Sequence, residues 1–267
     1  MRVLIVTPQF LPLLGGAERQ AHALGRMLGE RGHRVAVLTR RVAGLPRREV
    51  MDGVSVERGI WAVEVGPLYG LTYTLSVSRF LLSHRSAWDV VHITHIYLDA
   101  FAATLTGRWR HYGDLARLAR LRAWPLYPGP GKVALRALIR TIARADAFIA
   151  NSREVREELV AAGCPGGKIA HIPNGVDLTR FHPDPAARAA DGRRRLGLPD
   201  GPLVVFAGRL DPQKGLHTLV AAMRSPALAA AGAHMLLLGD GPQRADLAQA
   251  VERDGLADRV LFRGVVE

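Results

Sequence analysis

LVVFAGRLDPQKG, at residues 203–215, is the stretch of the sequence that decides the fold. Its first half is a short apolar run, which is typical of a strand buried on both faces of a parallel sheet. Its second half is a turn in which Arg209 and Lys214 stand on either side of Pro212. A turn requires glycine or proline but not two cations. The stretch therefore predicts a strand whose carboxyl end presents two positive charges to an anionic ligand, with two solvated surface cations as the alternative.

Strands and helices alternate along the rest of the chain. The predicted strands are short apolar runs at residues 3–6, 35–38, 54–56, 89–93, 147–150, 168–172, 203–207, 234–238 and 259–262. The predicted helices carry apolar residues at helical spacing, at residues 17–28, 133–144, 152–162, 215–224 and 243–254. This alternation predicts an α/β protein with parallel sheets and helices on both of their faces.

The alternation stops between residues 174 and 200 and then starts again. That segment is rich in proline, glycine and charged residues, a composition typical of a linker between domains. We therefore predict an N-terminal Rossmann-like domain at residues 1–180, a linker at 181–200 and a C-terminal domain at 201–267.

Composition and charge limit the class of protein and its partners. The net charge of +12 is typical of proteins that bind polyanions. Almost all of the positive charge is arginine, spread through the predicted helices without interleaved aromatic residues, so nucleic acid is disfavoured as a partner. Peripheral contact with an anionic membrane surface stays open as an alternative.

Cysteine content and apolar runs indicate the compartment. A single cysteine, Cys164, excludes a disulfide framework and a cysteine-based zinc site. The apolar run after Met1 is too short for a secretory signal, and no run reaches the length of a membrane span. We expect a cytoplasmic protein, with the inner face of the membrane as the alternative location.

Glycine-rich loops follow two of the predicted strands. Gly15 and Gly16 precede a helix, whose N-terminus offers unpaired N–H groups to an anion, although a tight turn explains the pair equally well. Gly239 and Gly241 follow the strand at 234–238, where the backbone could approach a phosphate or a ribose. Neither loop has the G-x-G-x-x-G spacing of dinucleotide-binding domains or the spacing of a P-loop.

Four stretches together resemble the retaining glycosyltransferases of family 4, GT-B enzymes related to glycogen synthase and the mannosyltransferases. They appear in that family's order, as PQFLPLLGGAER at 8–19, ADAFIANSREVREEL with IPNGVDLTRFHP at 145–183, FAGRLDPQKGLHTLVAAM at 206–223, and LLLGDGPQRADL with DRVLFRGVV at 236–266. The resemblance implies two Rossmann-like, doubly wound sheets facing a cleft, the second of them incomplete in this sequence.

The resemblance also implies a reaction and its substrates. A hexose would pass from a nucleoside-diphosphate sugar, bound by the C-terminal domain, to a hydroxyl of a glycan, lipid or small-molecule acceptor, with retention at the anomeric carbon. No metal ion and no cofactor other than this donor substrate is expected. The residues implied in donor binding are Gly15, Gly16, Arg209, Lys214, Gly239, Gly241 and Arg263, of which Arg209 and Lys214 would stabilise the leaving diphosphate.

The sequence departs from the family pattern in two places. The Glu-x7-Glu pair that holds the donor sugar and ribose in the family is missing, so we expect a C-terminally truncated chain. In the first domain, residues 102–114 leave little room for the usual helix and central strand, and only 108–110 could form that strand. His111 is then the nearest candidate for the loop histidine that faces the reacting sugar; His95 is its alternative, and His92 is interpreted as a core residue.

Other classes of function stay open. Without the paired glutamates, the chain could be a non-catalytic module that retains affinity for a nucleoside diphosphate, or a basic scaffold associated with a membrane or a nucleic acid. Asp146, Asn151 and Ser152 are explained by helix capping, and Asn174-Gly175 by a turn.

Overall fold

The chain folds into two compact units, Met1–Val176 and Asp177–Glu267. Our computed structural model describes residues 1–13, 15–95, 98–107, 110–114, 140–183 and 190–266, and the statements that follow concern these residues. Both units are α/β structures built on parallel strands, so the predicted fold class is confirmed. The position of the linker, 181–200, stays a prediction.

The first unit is built on one sheet with the strand order β3-β4-β2-β1-β5-β6-β7-β8. Its strands are β1 (Arg2–Val6), β2 (Arg34–Arg40), β3 (Arg48–Met51), β4 (Val54–Ile60), β5 (Val90–Ile93), β6 (Arg110–Asp114), β7 (Ala147–Ala150) and β8 (Ile169–His171). Neighbouring strands are parallel except β3 and β4. The chain leaves β1 toward β2 on one side and returns to β5 on the other, which creates the switch point where such sheets bind ligands.

Helices connect the strands of this sheet. They are α1 (Gly16–Glu30), α2 (Gly66–Ser83), α3 (Leu98–Leu105) and α4 (Arg153–Ala161). The turn after α1 contains Gly32 in the left-handed region, because glycine adopts this conformation without steric cost. Of the helix predicted at 133–144, residues 133–139 lie outside the described residues, and 140–142 are helical.

The prediction for residues 102–114 is wrong in two respects. The central strand is present as β6, which pairs with β5 on one side and β7 on the other. The described strand runs from Arg110 to Asp114, so it extends beyond the segment 108–110, the only candidate in the sequence. His111 consequently lies inside the strand, opposite Val91, and not in a loop after it. The pairing with two neighbours stabilises a strand that its polar composition did not indicate.

Ser152 caps α4, as its position in the sequence predicts. Its hydroxyl accepts a hydrogen bond from the backbone N–H of Val155, 3.3 Å away, and Glu154 adds a carboxylate to the first turn. We expect Ser152→Ala to lower the free energy of unfolding of the first unit by about 1 kcal/mol, because one N–H loses its acceptor. Urea denaturation measures this loss, and Ser152→Asp, which restores an acceptor, should show little of it. An alanine variant as stable as the parent contradicts the cap.

An ion pair joins the start of β1 to the residue before β5. The backbone N–H of Arg2 donates to Asp89 Oδ2 at 2.7 Å, and its guanidinium Nε donates to Oδ1 at 3.1 Å. These hydrogen bonds from Arg2 lower the pKa of Asp89 from its usual 3.8 to about 2. The pair therefore stabilises the fold fully above about pH 4.

This ion pair predicts a difference between two acid-denaturation profiles. Because the folded-state pKa is depressed, the stabilisation by Asp89 should be lost as pH falls from about 4 to about 2. Asp89→Asn should melt at a lower temperature than the parent at pH 7, and the gap should close toward pH 2. Thermal melts across this range test it, and a gap that is constant with pH contradicts the pairing.

The second unit has three parallel strands in the order β11-β10-β9 within the described residues. Its strands are β9 (Leu203–Ala207), β10 (His234–Leu238) and β11 (Val260–Gly264), and its helices are α5 (Ala190–Arg195), α6 (Leu216–Ala222), α7 (Pro226–Ala230) and α8 (Arg244–Arg253). Side chains of β10, such as Met235 and Leu237, pack with Leu247 and Val251 of α8 in a fully buried core. This core holds the loops that follow β9 and β10 at one end of the sheet.

In the described part of the chain, no helix combines the length and the apolar composition needed to cross a membrane.

Candidate functional site

The loop after β9 presents both predicted cations at the carboxyl end of the sheet. Arg209 follows the strand by two residues, and Lys214 ends a single 3-10 turn at Pro212–Lys214. Asp211 begins this turn, because its Oδ1 accepts a hydrogen bond from the N–H of Gln213 at 3.1 Å. Gly215, in the left-handed region, then directs the chain into α6. The predicted placement, one cation at the strand end and one before the next helix, is confirmed.

Arg209 is only weakly engaged with the rest of the protein. Its side chain is 70% exposed, and its Nε lies 3.8 Å from Asp211 Oδ2. An exposed ion pair at this distance contributes little to stability. The guanidinium is therefore available to an anionic ligand, and Lys214 is also exposed. Their roles in diphosphate binding stay predictions.

The loop after β10 packs directly on the loop after β9. Leu210 N–H donates to the carbonyl of Asp240 at 2.9 Å, and Gln243 N–H donates back to the carbonyl of Leu210 at 3.1 Å. Gly208 N–H also donates to the carbonyl of Leu238. These hydrogen bonds make the two loops one structural element. The sequence analysis predicted only that each loop contacts a ligand, and not that the loops contact each other.

Gly239 and Gly241 are required for this contact between loops. A Cβ at Gly239 would lie 2.9 Å from the carbonyl carbon of Gly208 and closer still to its oxygen. A Cβ at Gly241 would lie 2.8 Å from the carbonyl carbon of Leu210. The absence of side chains therefore allows backbone to pack on backbone, and the proposed contact of these glycines with a ligand stays a prediction.

Arg263 holds the end of β11 to the end of α5. Its Nη2 donates to the carbonyl of Gly197 at 2.8 Å and lies 3.4 Å from that of Leu196. These carbonyls follow the last turn of a helix, where a cation is favourable. The arginine thus has a structural role that the sequence did not indicate, and its part in donor binding stays a prediction.

In the first unit, Gly15 is the N-cap of α1, and Gly16 is its first residue. Glu18, in the first turn, is buried, and its carboxyl carbon lies 3.1 Å from where a Cβ of Gly15 would be. A carboxylate is favourable at the N-terminus of a helix. Sequence reasoning missed Glu18, although a glutamate three residues after the N-cap is the spacing of a capping box. A Cβ built at Gly16 has no atom within 4 Å, so the space beside Gly16 is open.

The histidines of the first unit differ in burial. His92 lies within β5 and is buried, so its interpretation as a core residue is confirmed, and burial lowers its pKa to about 4. His95 follows the same strand, and its Nδ1 lies 2.8 Å from the hydroxyl of Thr94. His111 lies one strand away in β6, and its role stays a prediction.

Asp99 of α3 is a buried carboxyl group that the sequence did not single out. Burial raises its pKa to about 7. Burial and the neighbouring Asp99 raise the pKa of Tyr73 above its ordinary value. A carboxyl group that titrates near neutrality is more common at functional sites than elsewhere. The apolar context of Asp99, LDAFAATL, gave no signal that a titratable group would be this deeply buried.

Among residues 1–13, 15–95, 98–107, 110–114, 140–183 and 190–266, no three His, Cys, Asp or Glu side chains are grouped so that they could hold a metal ion.

Two family models match the chain. The model described as Glycosyltransferase Family 4 matches residues 14–180, and the model described as Glycosyl transferases group 1 matches residues 201–267. The two matches cover the parts of the chain that carry the glycine pair of α1 and the paired loops of β9 and β10.

Two curated relatives align over almost the whole chain. A GDP-mannose-dependent alpha-(1-6)-phosphatidylinositol monomannoside mannosyltransferase of Mycobacterium tuberculosis is 31% identical over 272 residues, covering 99% of this chain and 68% of the relative. A D-inositol 3-phosphate glycosyltransferase of Xylanimonas cellulosilytica is 32% identical, covering 95% of this chain and 66% of that protein. The chain thus spans about two thirds of the length of these relatives.

Solved structures with this fold include a synthase and a glycosyltransferase. Sucrose-phosphate synthase from Thermosynechococcus elongatus superimposes with a TM-score of 0.76 at 23% identity, over 100% of this chain and 71% of that chain. WaaG, a glycosyltransferase involved in lipopolysaccharide biosynthesis, gives a TM-score of 0.73 at 16% identity, over 99% and 70%. These likenesses establish a GT-B fold, as expected from the sequence. Together with the family models and the relatives, they show that the chain belongs to glycosyltransferase family 4.

Proposed function

We propose that this chain transfers mannose from GDP-mannose to a hydroxyl group of an inositol-containing acceptor. The observation that carries the proposal is the pair of available cations, Arg209 and Lys214, at the carboxyl end of β9. The donor and acceptor are proposed from the relatives. One of them is GDP-mannose-dependent and acts on a phosphatidylinositol monomannoside, and another is a glycosyltransferase for D-inositol 3-phosphate.

In the proposed reaction, the bond between the anomeric carbon and the diphosphate breaks, the acceptor hydroxyl oxygen bonds to that carbon, and the hydroxyl proton passes to the leaving diphosphate or to solvent. The products are GDP and the mannosylated acceptor. Negative charge increases on the diphosphate as it leaves, so Arg209 and Lys214 bind the transition state more strongly than the donor. We further propose retention at the anomeric carbon, which proton NMR of the product distinguishes from inversion.

We propose that the reaction needs no metal ion. Two side-chain cations in the loop after β9 supply positive charge of the kind that Mg²⁺ supplies elsewhere. Transfer in excess EDTA should therefore proceed at the rate seen with added Mg²⁺.

A lipid-linked acceptor would place the reaction at a membrane face, and the cytoplasmic side remains our prediction for the protein. The relative that acts on phosphatidylinositol monomannoside supports a lipid acceptor. We propose no nucleic-acid partner, because the arginines are dispersed along the chain.

The proposed function is tested by incubating the chain with GDP-mannose and either phosphatidylinositol monomannoside or D-inositol 3-phosphate. Mass spectrometry should show an acceptor heavier by one hexose with one of them. UDP-glucose serves as the competing donor, and Arg209→Ala as the inactive control. Saturable GDP binding without product would instead indicate a non-catalytic binding module. Nucleotide binding that weakens steeply with salt and is equally strong for guanine and uracil nucleotides would indicate a basic scaffold.

A further inference from the structure

Helix α8 begins with an arginine, Arg244, that contributes little to the stability of the fold. Its side chain is exposed, and among the described residues of the second unit no carboxylate lies within ion-pair distance of it. A cation is also unfavourable at the N-terminus of a helix, because the partial charge there is positive. The N–H donors of this guanidinium are therefore available to a ligand.

Arg244 lies at the carboxyl edge of the sheet, beside the end of β11. A Cβ built at Gly264, the last residue of that strand, would lie 3.8 Å from Nη1 of Arg244. Hydrogen bonds fix the start of α8 in this place, from the N–H of Gln243 to the carbonyl of Leu210 and from the N–H of Arg244 to that of Gly241. The guanidinium thus lies at the same edge as the two cations after β9.

The distance across this edge suits a nucleoside diphosphate. Ala207, Leu238 and Gly264 pair in one row across the ends of β9, β10 and β11. Neighbouring strands are about 4.8 Å apart, so the end of β11 lies about 10 Å from the end of β9. The ribose of a nucleoside diphosphate separates the base from the phosphates by a similar span. A donor that lies along this row, with its diphosphate at the loop after β9, would have its base beside Arg244.

The end of β11 also offers an apolar surface to a flat base. Val265 and Val266 follow the strand directly and are 68% and 54% exposed. Arg263, the other arginine at this end of the sheet, already donates to the carbonyl of Gly197 at 2.8 Å. Arg244 is therefore the better placed of the two arginines to meet the edge of a base that packs on these valines.

We propose that Arg244 selects a guanosine donor by donating two hydrogen bonds to O6 and N7 of guanine. Arginine has five N–H donors and no acceptor, and guanine is the base that presents two neighbouring acceptors on one edge. Adenine and cytosine present an amino donor on the corresponding edge, and uracil, like thymine, presents a single acceptor there. The inference rests on the proposed reaction of GDP-mannose and adds the residue that distinguishes the base.

The test is calorimetric titration of the chain with GDP, UDP and 7-deaza-GDP, an analogue of GDP in which a carbon replaces N7. The test variants are Arg244→Ala, which removes the donors, and Arg244→Lys, which keeps the charge but loses the planar fork. The matched control is Arg253→Ala, which removes an exposed arginine from the other end of α8. All three variants should keep the parent's melting temperature, because both side chains are exposed.

We expect the parent to bind GDP at least about tenfold more tightly than UDP or 7-deaza-GDP. In both Arg244 variants, GDP should bind about tenfold more weakly than in the parent, and UDP should change by less than about threefold. The preference for GDP over 7-deaza-GDP should disappear in both. The control should keep the affinities and the preferences of the parent.

Equal losses of GDP and UDP affinity in Arg244→Ala would overturn the proposal, because the arginine would then attract phosphate and not distinguish a base. Equal affinities of the parent for GDP and 7-deaza-GDP would overturn it too, as would a preference for GDP that survives in both variants. A parent that prefers UDP would overturn the proposed donor as well. Loss of the guanine preference in the Arg244 variants of a chain that transfers no mannose would support this inference and contradict only the proposed reaction.

Discussion

Replacement of both Arg209 and Lys214 by alanine should weaken the binding of GDP at least about 100-fold. At 4 Å and an effective dielectric of 20, each contact between a cation and a phosphate is worth about 4 kcal/mol before desolvation is subtracted. Hydrogen bonds to charged groups contribute about 1.5–3 kcal/mol net, so two of them account for a loss of this size. Calorimetric titration with GDP measures it.

The same double variant should remain as stable as the parent. Arg209 is 70% exposed, and its contact with Asp211 is a surface ion pair. The matched control is Arg224→Ala with Arg253→Ala, which removes two exposed arginines beside Asp254 in the same unit. Its affinity for GDP should stay within about threefold of the parent's. An equal loss in the control would mean that only net charge attracts the nucleotide.

Gly239→Ala should destabilise the second unit by about 3 kcal/mol and abolish nucleotide binding. The new Cβ would lie 2.9 Å from the carbonyl carbon of Gly208, and the backbone at Gly239 has a φ of 130°. Because this neighbour is backbone, the two loops must separate, and the hydrogen bond from Leu210 to Asp240 is lost. Overpacking and left-handed strain together account for a loss of this size. The melting temperature should fall by about 15 °C.

Gly255→Ala is the control for this substitution. Gly255 also has a positive φ, 64°, but a Cβ there meets nothing within 4 Å. It should show only the backbone strain, about 1–2 kcal/mol. If the two variants were equally stable, the contact between the loops would not be the reason for glycine at position 239.

Alternation of strands and helices was enough to predict most of the fold, but not α2. The exposed leucines Leu68, Leu71 and Leu75 lie on the face opposite the buried apolar residues. The sequence of α2 therefore lacks most of the alternation between polar and apolar residues that identifies an amphipathic helix. Likewise, β6 escaped prediction because its pairing with β5 and β7 outweighs its polar composition.

The part of the candidate site that could be predicted is the part whose location follows from the end of a single strand, β9. Arg209 and Lys214 were placed correctly because the carboxyl end of a parallel strand is fixed by the strand itself. The contacts between Gly239 and Gly208 could not be predicted, because they join residues of two loops whose approach depends on β9 and β10 packing side by side. The bond of Arg263 to the carbonyl of Gly197 spans 66 residues and has no local signal.

Calorimetric titration of the chain with GDP, UDP and GMP is the measurement that tests the central claim most directly. If the loops after β9 and β10 hold the diphosphate of a guanosine donor, GDP should bind at least about tenfold more tightly than GMP or UDP. The advantage over GMP should disappear in Lys214→Ala. Equal affinities for GDP and GMP, or no saturable binding by a chain that melts cooperatively, would contradict a diphosphate site at these loops.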